Sequence, residues 1–436
     1  MVQMVEKDFG YYFDICAHDT CRVHDLMREL AILKATQTRF LSTKPLTDAR
    51  RLTICETAGK EEAAIGDQPI FENLRTILAF GTESKNPKSI CNRSPRVRVL
   101  HASCCEIDNV HDFCRKHPHL RYLDVQFITI HGNVIKDISC LYHLQTLSIS
   151  SVYGKAANIS QLRNLRHLIL KDTDIRLDGL CGAKNLQTLD GIRAGDWIES
   201  SLSKLTNLRT LKIDECKESH GKALAESLVR LKCLVTLHLD AGENIGLPSL
   251  CTLSSLVNLR GLQLEGPYLE ISLFGPVPKS HEELPRHLST LILSGVCDPK
   301  HYPIEMLGKL TCLRSLHISE TSYYPRDDYE VWHMKHGDFP HLQILKLTCM
   351  KRLREWIIED GALQQLHYLR ISGCDELKML PDGLRLISTL RKLSFMIRTG
   401  TPLEGRVEKE TGDDWDKIKH VPLIDVEYQP QEISSW

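Results

Sequence analysis

Seven potential metal ligands crowd one short stretch of the chain: His101, Cys104, Cys105, His111, Cys114, His117 and His119. A structural zinc site needs four such donors to converge, usually as pairs with two to four residues between them. Here Cys104 and Cys105 are adjacent, no second CxxC follows, and His119 directly precedes an apolar pattern that begins at Leu120. Ordinary packing of these side chains is therefore expected, and no metal site is assigned. Nucleophilic chemistry finds even less support. There is no GxSxG elbow, and no Cys, His and acid set that a regular fold would bring together. Neither a GxxxxGK[ST] phosphate loop nor a GxGxxG run occurs. The chain is expected not to be an enzyme and to hold no cofactor of its own.

What positions the side chains is a repeat. Leu, two variable residues, Leu, one variable residue, then Leu or Ile reads cleanly at Leu120–Val125, Leu144–Ile149, Leu165–Leu170, Leu208–Ile213 and Leu234–Leu239. It continues at Leu259–Leu264, Leu288–Leu293, Leu313–Ile318, Leu342–Leu347, Leu366–Ile371 and Leu390–Phe395. Weaker copies stand at Ala49–Ile54, Leu74–Ala79, Val97–Ala102 and Leu186–Gly191. Between the first copy and the last, the mean period is about 24 residues, which is leucine-rich-repeat spacing. The Leu-x-Leu pair has period two, the signature of a strand with one buried face. At Leu208–Ile213, Leu211 and Ile213 point inward, whereas Thr210, Lys212 and Asp214 point the other way. One strand per repeat, with a return path over the other side, predicts an α/β leucine-rich-repeat solenoid. This horseshoe would hold a parallel sheet on its concave face and about 14 to 15 repeats. Cys216 and Cys374, in the turn after their strands, are expected as buried thiols rather than redox groups. The longer repeats hold extra residues from Tyr323 to Trp332, which are expected to bulge from one face as a variable or binding loop.

Composition narrows the partners. Against 55 basic residues stand 56 acidic ones, so the net charge makes no case for nucleic acid or an anionic membrane. The 16 cysteines are scattered over 436 residues, and Glu6, Lys7 and Asp8 lie where the apolar core of a signal peptide would sit. No apolar run approaches the roughly 18 residues of a spanning helix. A cytoplasmic protein in a reducing compartment is expected.

The remaining candidate is the sheet face itself. Its outward columns hold Thr146, Thr188, Thr210, Thr236 and Thr290, and an acidic group of Asp214, Asp240 and Glu265 with Lys212 and His238 beside it. Toward the C-terminal repeats the outward residues become Lys346, Tyr368, Arg370 and Lys392. An acidic middle followed by a basic, partly aromatic end fits a protein-recognition strip, and it also fits a solvated sheet face. On either reading His238 is expected to be an outward residue that tolerates substitution.

Three segments go beyond a generic repeat. CRVHDLMRELA (Cys21 to Ala31) resembles the end of the winged helix in the nucleotide-binding module of plant disease-resistance proteins. The run from Leu342 to Leu393 is similar to the last repeats of the coiled-coil, nucleotide-binding, leucine-rich-repeat immune receptors of grasses, and Thr411 to Val426 is similar to their closing segment. The resemblance implies three parts: residues 1–35 as the remnant of a switch module, 36–399 as the solenoid, and 400–436 as a C-terminal cap and tail. By the same resemblance His24 would be the nucleotide-contacting His of that motif, with Val23 in place of the usual Met. ADP or ATP would matter only if a nucleotide-binding domain lies upstream, since a lone His makes no pocket. The resemblance further implies a repeat region that senses pathogen effectors or a modified host protein, and that restrains the receptor's own nucleotide-binding module in the defense response. The alternatives are a repeat-only adaptor, such as the substrate-reading subunit of a ubiquitin ligase, or a receptor fragment without function. Residues 1–40 are too few and too unlike the three-helix recruiting module that a ligase subunit needs.

Overall fold

The computed structural model describes residues 2–5, 20–23, 49–55, 71–80, 90–102, 110–126, 138–150, 157–171, 173, 177–242, 253–269, 284–296, 304–320 and 330–430. The chain divides into two compact units, Met1–Ile192 and Arg193–Trp436.

Each copy of the repeat pattern becomes one strand. In the N-terminal unit the parallel order follows the sequence: Arg51–Cys55, Thr76–Phe80, Val99–Ala102, Tyr122–Gln126, Thr146–Ser150, His167–Lys171 and Thr188–Arg193. In the C-terminal unit it runs Thr210–Asp214, Thr236–Asp240, Gly261–Leu269, Thr290–Val296, Ser315–Glu320, Ile344–Thr348, Tyr368–Ser372, Lys392–Arg398 and Leu423–Gln429. The final strand, Leu423–Gln429, lies inside the segment expected as the C-terminal cap and tail. Pairing is in register, so chemically equivalent positions align in columns: Leu211 beside Leu237, and Leu237 beside Leu262. These inward leucines are almost wholly removed from water. Each such burial contributes roughly 2 kcal/mol, and only a neighbouring repeat can supply the cover.

The repeats are tied by main-chain bonds that recur at the same position. The carbonyl just before a strand accepts two N–H groups from the next repeat, as Arg50 O does from Arg75 N and Thr76 N. Arg209 O does the same for Val235 N and Thr236 N. Turn asparagines extend the ladder: Asn164 donates to Tyr142 O at 2.8 Å, and Asn258 to Lys232 O at 2.8 Å. A side-chain amide can satisfy a carbonyl that the open turn would otherwise leave to solvent.

The weak copy at Leu186–Gly191 has a physical cause. Gly191 adopts φ +76, and a Cβ there would lie 1.8 Å from Leu170 O. Only glycine fits, and Ile192 takes over the buried position one residue late.

Other expectations meet different outcomes. Cys216 and Cys374 are buried as expected; burial pushes the Cys374 thiol up to about 12 and the Cys216 thiol higher still, so neither is a ready thiolate. Trp332 does not bulge. It lies in the strand Glu330–Met334, which pairs with Leu353–Ile358 as a separate two-stranded sheet, with Trp332 facing Trp356. Both indoles are buried while Val331 is exposed, because strand alternation sends one neighbour in and the next out. Residues 321–329 lie outside the described residues. Thr20–Val23 pairs antiparallel with Val2–Val5; His24 lies outside the described residues.

Candidate functional site

The histidine and cysteine stretch is dispersed by the fold. His117 is buried, with Nδ1 at 2.8 Å from Phe113 O and Nε2 at 2.8 Å from Cys91 O, so both ring nitrogens face carbonyl oxygens. His101 Nδ1 lies 2.7 Å from Asp124 Oδ2 on the next strand. Among the described residues no group of three or more His, Cys, Asp or Glu side chains could hold a metal ion. Cys104 and Cys105 lie outside those residues.

The open face of the C-terminal sheet gathers the other candidates. Strand alternation sends the third and fifth residues of each strand to this face, and parallel register lines them up. Asp240 pairs in register with Glu265, and Asp214 closes the preceding strand, so the three acids occupy three successive strands. Lys212 is the register partner of His238. Three strands further along, Lys346 pairs with Arg370, and Tyr368 with Lys392. At about 4.8 Å per strand, the acidic and basic groups are separated by roughly 15 Å of sheet. The intervening strands contribute Ile292 and His317.

Each group has its own internal order. His238 Nε2 lies 3.3 Å from Glu265 Oε2, and the Gln263 amide donates to the same carboxylate. Gly242 N donates to Asp240 Oδ1 at 2.8 Å. Burial raises the proton affinity of both acids, yet they end on opposite sides of the ordinary range. For Glu265 the hydrogen bond and charge of His238, the Gln263 bond and Lys212 outweigh burial, so its carboxyl is held low. For Asp240 burial, reinforced by the Glu265 charge, exceeds the help from Gly242 N–H and His238, so its carboxyl is raised. In the basic group, Tyr368 is flanked by two ammonium groups, with Lys346 Nζ 5.7 Å and Lys392 Nζ 5.4 Å from its ring centroid. Both distances are within cation–π reach. Lys392 Nζ also lies 3.5 Å from Asp425 Oδ2.

The expectation that His238 is an open, tolerant position is corrected. It is only 6% exposed, because the Glu265 carboxylate and the neighbouring columns close over it. Gln263 and His317, which the pattern did not single out, are buried on the same face. An alternating pattern assigns a side chain to a face but does not say whether its neighbours there are long enough to cover it. What this arrangement offers is surface chemistry: a carboxylate cluster, a cationic aromatic patch and a half-buried floor between them.

Stacked single-strand coils with in-register apolar columns define a leucine-rich-repeat solenoid, a scaffold that grows by repetition and presents one open sheet face. The chain belongs to the leucine-rich repeat region family, whose profile matches residues 73–413. It is homologous to plant disease resistance proteins. A disease resistance protein of Arabidopsis thaliana is 28% identical over 95% of this chain, and the disease resistance RPP8-like protein 3 of the same plant is 26% identical over 93%. The chain spans 45% of the length of each of these relatives. Among solved structures, the leucine-rich repeat protein LIC12759 of Leptospira interrogans superposes with a TM-score of 0.52 at 15% identity, covering 91% of this chain and 98% of that one. That likeness concerns the fold alone. Among the described residues, no helix is long and apolar enough to cross a membrane.

Proposed function

We propose that this chain is the recognition region of a plant innate-immune receptor of the coiled-coil, nucleotide-binding, leucine-rich-repeat type found in grasses. It acts in the cytoplasm, binds a pathogen effector or a modified host protein, and restrains the receptor's own nucleotide-binding module. In this reading residues 1–35 are the end of that module, 36–399 the solenoid and 400–436 its cap. The chain itself performs no catalysis and holds no nucleotide.

One observation carries the reading. A single open sheet face of the C-terminal unit presents Asp214, Asp240 and Glu265 on three successive strands, and Lys346, Tyr368 and Arg370 on two later ones. Opposite charges at the two ends fix the orientation of a complementary partner, and the aromatic ring at the basic end supplies contact area at low entropic cost. Homology to disease resistance proteins supplies the biological setting.

The test compares three versions of the full chain as affinity baits in pathogen-challenged and mock-treated leaf extract. One is the parent, one carries Asp214→Lys with Asp240→Asn, and one carries Lys346→Glu with Arg370→Glu. Proteins enriched by the parent only after challenge are expected to be lost with both variants while melting temperatures stay within a few degrees. Identical capture by all three overturns the assignment of this face. Isothermal titration with ADP is expected to give no heat; binding abolished by His24→Ala would instead support a nucleotide site.

A further inference from the structure

Among the described residues, the sheet of the C-terminal unit ends on the strand Leu423–Gln429. All of its residues pair with Lys392–Arg398 in unbroken parallel register, and among the described residues no strand lies on its other side. Leu423 N donates to Arg391 O, and Gln429 O accepts from Thr399 N. Main-chain direction alternates along a strand, so the N–H and C=O groups of Ile424, Val426 and Tyr428 point to the open edge. Side chains alternate as well. Ile424, Val426 and Tyr428 continue the inward column of Leu393, Phe395 and Ile397, all three of them buried. Without a further coil to cover them, Val426 is 36% and Tyr428 40% exposed. On the other face of the strand Leu423, Asp425 and Glu427 are exposed.

Edges of this kind are ordinarily blunted by lysine, proline or a bulge, and this strand has none of them. Its charged residues are two acids, Asp425 and Glu427. Those acids disfavour a second copy of the same strand. Antiparallel pairing about a two-fold axis at Val426 sets Asp425 against Glu427 twice, and an axis at either acid sets that acid against itself. Cations from the strand behind do not neutralise the pair. Lys392 Nζ lies 3.5 Å from Asp425 Oδ2, but Glu427 has Met396 as its register partner. The edge therefore offers three open main-chain positions, an uncovered apolar column on one face and negative charge on the other.

We infer that this edge takes up an extended segment of a protein partner as one more strand, with basic residues beside Asp425 and Glu427 and aliphatic residues beside Val426 and Tyr428. Main-chain bonds to the three open residues supply affinity, and the alternating side chains supply selectivity. Cross-strand neighbours stand about 5 Å apart on the same face, so a lysine or arginine of the added strand reaches a carboxylate directly. A helix cannot take its place, because its own N–H and C=O groups are spent on internal bonds. The inference does not rest on the recognition face proposed above, and either can fail without the other.

The experiment measures fluorescence anisotropy of a labelled peptide of about nine residues, alternating valine and lysine, titrated with the full-length chain. Two further peptides carry N-methyl groups on alternate amides, one at the valines and the other at the lysines. Methylation removes the donors along one edge of the strand and leaves the charge as it was. One methylated peptide is expected to bind at least about tenfold more weakly and the other as well as the parent peptide; which one weakens tells parallel from antiparallel addition. A peptide of equal composition with its lysines grouped in one half is expected to bind about tenfold more weakly. Val426→Pro removes an N–H that the sheet does not use, so the melting temperature is expected to hold while peptide binding falls at least about tenfold. Asp425→Lys with Glu427→Lys is expected to weaken binding by a similar factor. Glu199→Lys with Glu226→Lys makes the same change of charge at two exposed acids elsewhere in the unit and is expected to leave binding unchanged. No binding of the alternating peptide, equal binding of the grouped one, equal binding of the two methylated ones, or undiminished binding by both edge variants overturns the inference.

Discussion

His238 Nε2 lies 3.3 Å from Glu265 Oε2 on the adjacent strand, and the two acids beside this contact end in opposite electrostatic states. Glu265, which receives the imidazole, is held below the ordinary carboxylate range, whereas its register partner Asp240 is raised above it. The two acids lie side by side, so ionising one makes the other harder to ionise. The acidic end of the face is therefore graded in charge.

That grading sets the sign of two substitutions. Glu265 has a lower proton affinity in the fold than in the unfolded chain, so its contribution to stability is present above its ordinary value of 4.5 and is lost as pH falls below it. Asp240 is the reverse: its ionisation in the fold carries a cost that appears as pH rises above its ordinary value of 3.8. Asp240→Asn, which keeps an oxygen for Gly242 N, is expected to raise the melting temperature at pH 7 by about two degrees and to have no effect near pH 3. Glu265→Gln is expected to lower it at pH 7. Thermal melts followed by circular dichroism at both pH values check the pair; the same sign for both variants at pH 7 contradicts the assignment.

Leu237 and His238 are chain neighbours on opposite faces of one strand, and both are intolerant positions for a carboxylate. Leu237 is wholly buried, so Leu237→Asp is expected to cost on the order of 3–5 kcal/mol and to open the array locally. His238→Asp places a third acid against Asp240 and Glu265 in a covered position and is expected to cost about 1–3 kcal/mol. His238→Gln keeps a donor toward Glu265 and is expected to be mild. Denaturant midpoints rank the three variants; a silent His238→Asp would mean that the column is open to water.

The array was readable because one pattern repeats with the chemistry of a half-buried strand, and every copy from Ala49 to Leu390 begins a strand of the sheet. Even the faulty copy at Gly191 marked a true irregularity. Less was legible where neighbours decide the outcome. Trp332 reads as loop in a long repeat, but Trp356, 24 residues later, pairs with it in a second sheet. His238 and His317 belong to the outward face by alternation, and only the columns beside them show that they are covered. The division after Ile192 falls directly behind the weak copy at Leu186–Gly191, and the clean pattern resumes at Leu208.

His317 offers a pH test in the middle of the same face. Its imidazole is pushed down to about 4, first by burial and then by Lys346 and Arg370, with Glu265 opposing. Nε2 lies 3.1 Å from Thr348 Oγ1. A depressed value means that the folded chain favours the neutral ring, so stability is full above the ordinary 6.5 and declines as pH falls from there toward 4. The loss attached to this residue is on the order of 3 kcal/mol. His317→Gln is expected to flatten the melting temperature across that interval while the parent declines. The ring proton resonance should titrate near pH 4 in the parent; a midpoint near 6.5 would contradict the burial of this side chain.

Asp414 anchors the segment after the last full repeat, and its removal provides the sharpest local test. The carboxylate is almost wholly buried and accepts from Leu380 N at 3.0 Å, from Arg406 Nε at 2.9 Å, and from Lys417 Nζ at 2.9 Å. Lys417 Nζ in turn donates to Leu380 O at 2.7 Å, so one charge pair closes both backbone groups of Leu380. Burial works against the ionised acid, but the donors from Arg406, Leu380 and Lys417 outweigh it and hold its carboxyl low. Its contribution is therefore present above the ordinary 3.8 and lost as pH falls below it. Asp414→Ala removes the buried one of the two carboxylates that meet Lys417, leaving only Asp382 at 3.0 Å from the solvent side, and is expected to cost about 3–5 kcal/mol at neutral pH. Asp413, which meets the same Arg406 from the solvent side at 3.0 Å, is 76% exposed. Asp413→Ala is accordingly expected to change little, because an exposed pair is screened and entropically loose. Hydrogen exchange at the Leu380 amide and along Leu423–Gln429 separates local loosening from global unfolding. Faster exchange there in Asp414→Ala alone is the expected result, and equal exchange in both variants would remove this acid from its anchoring role.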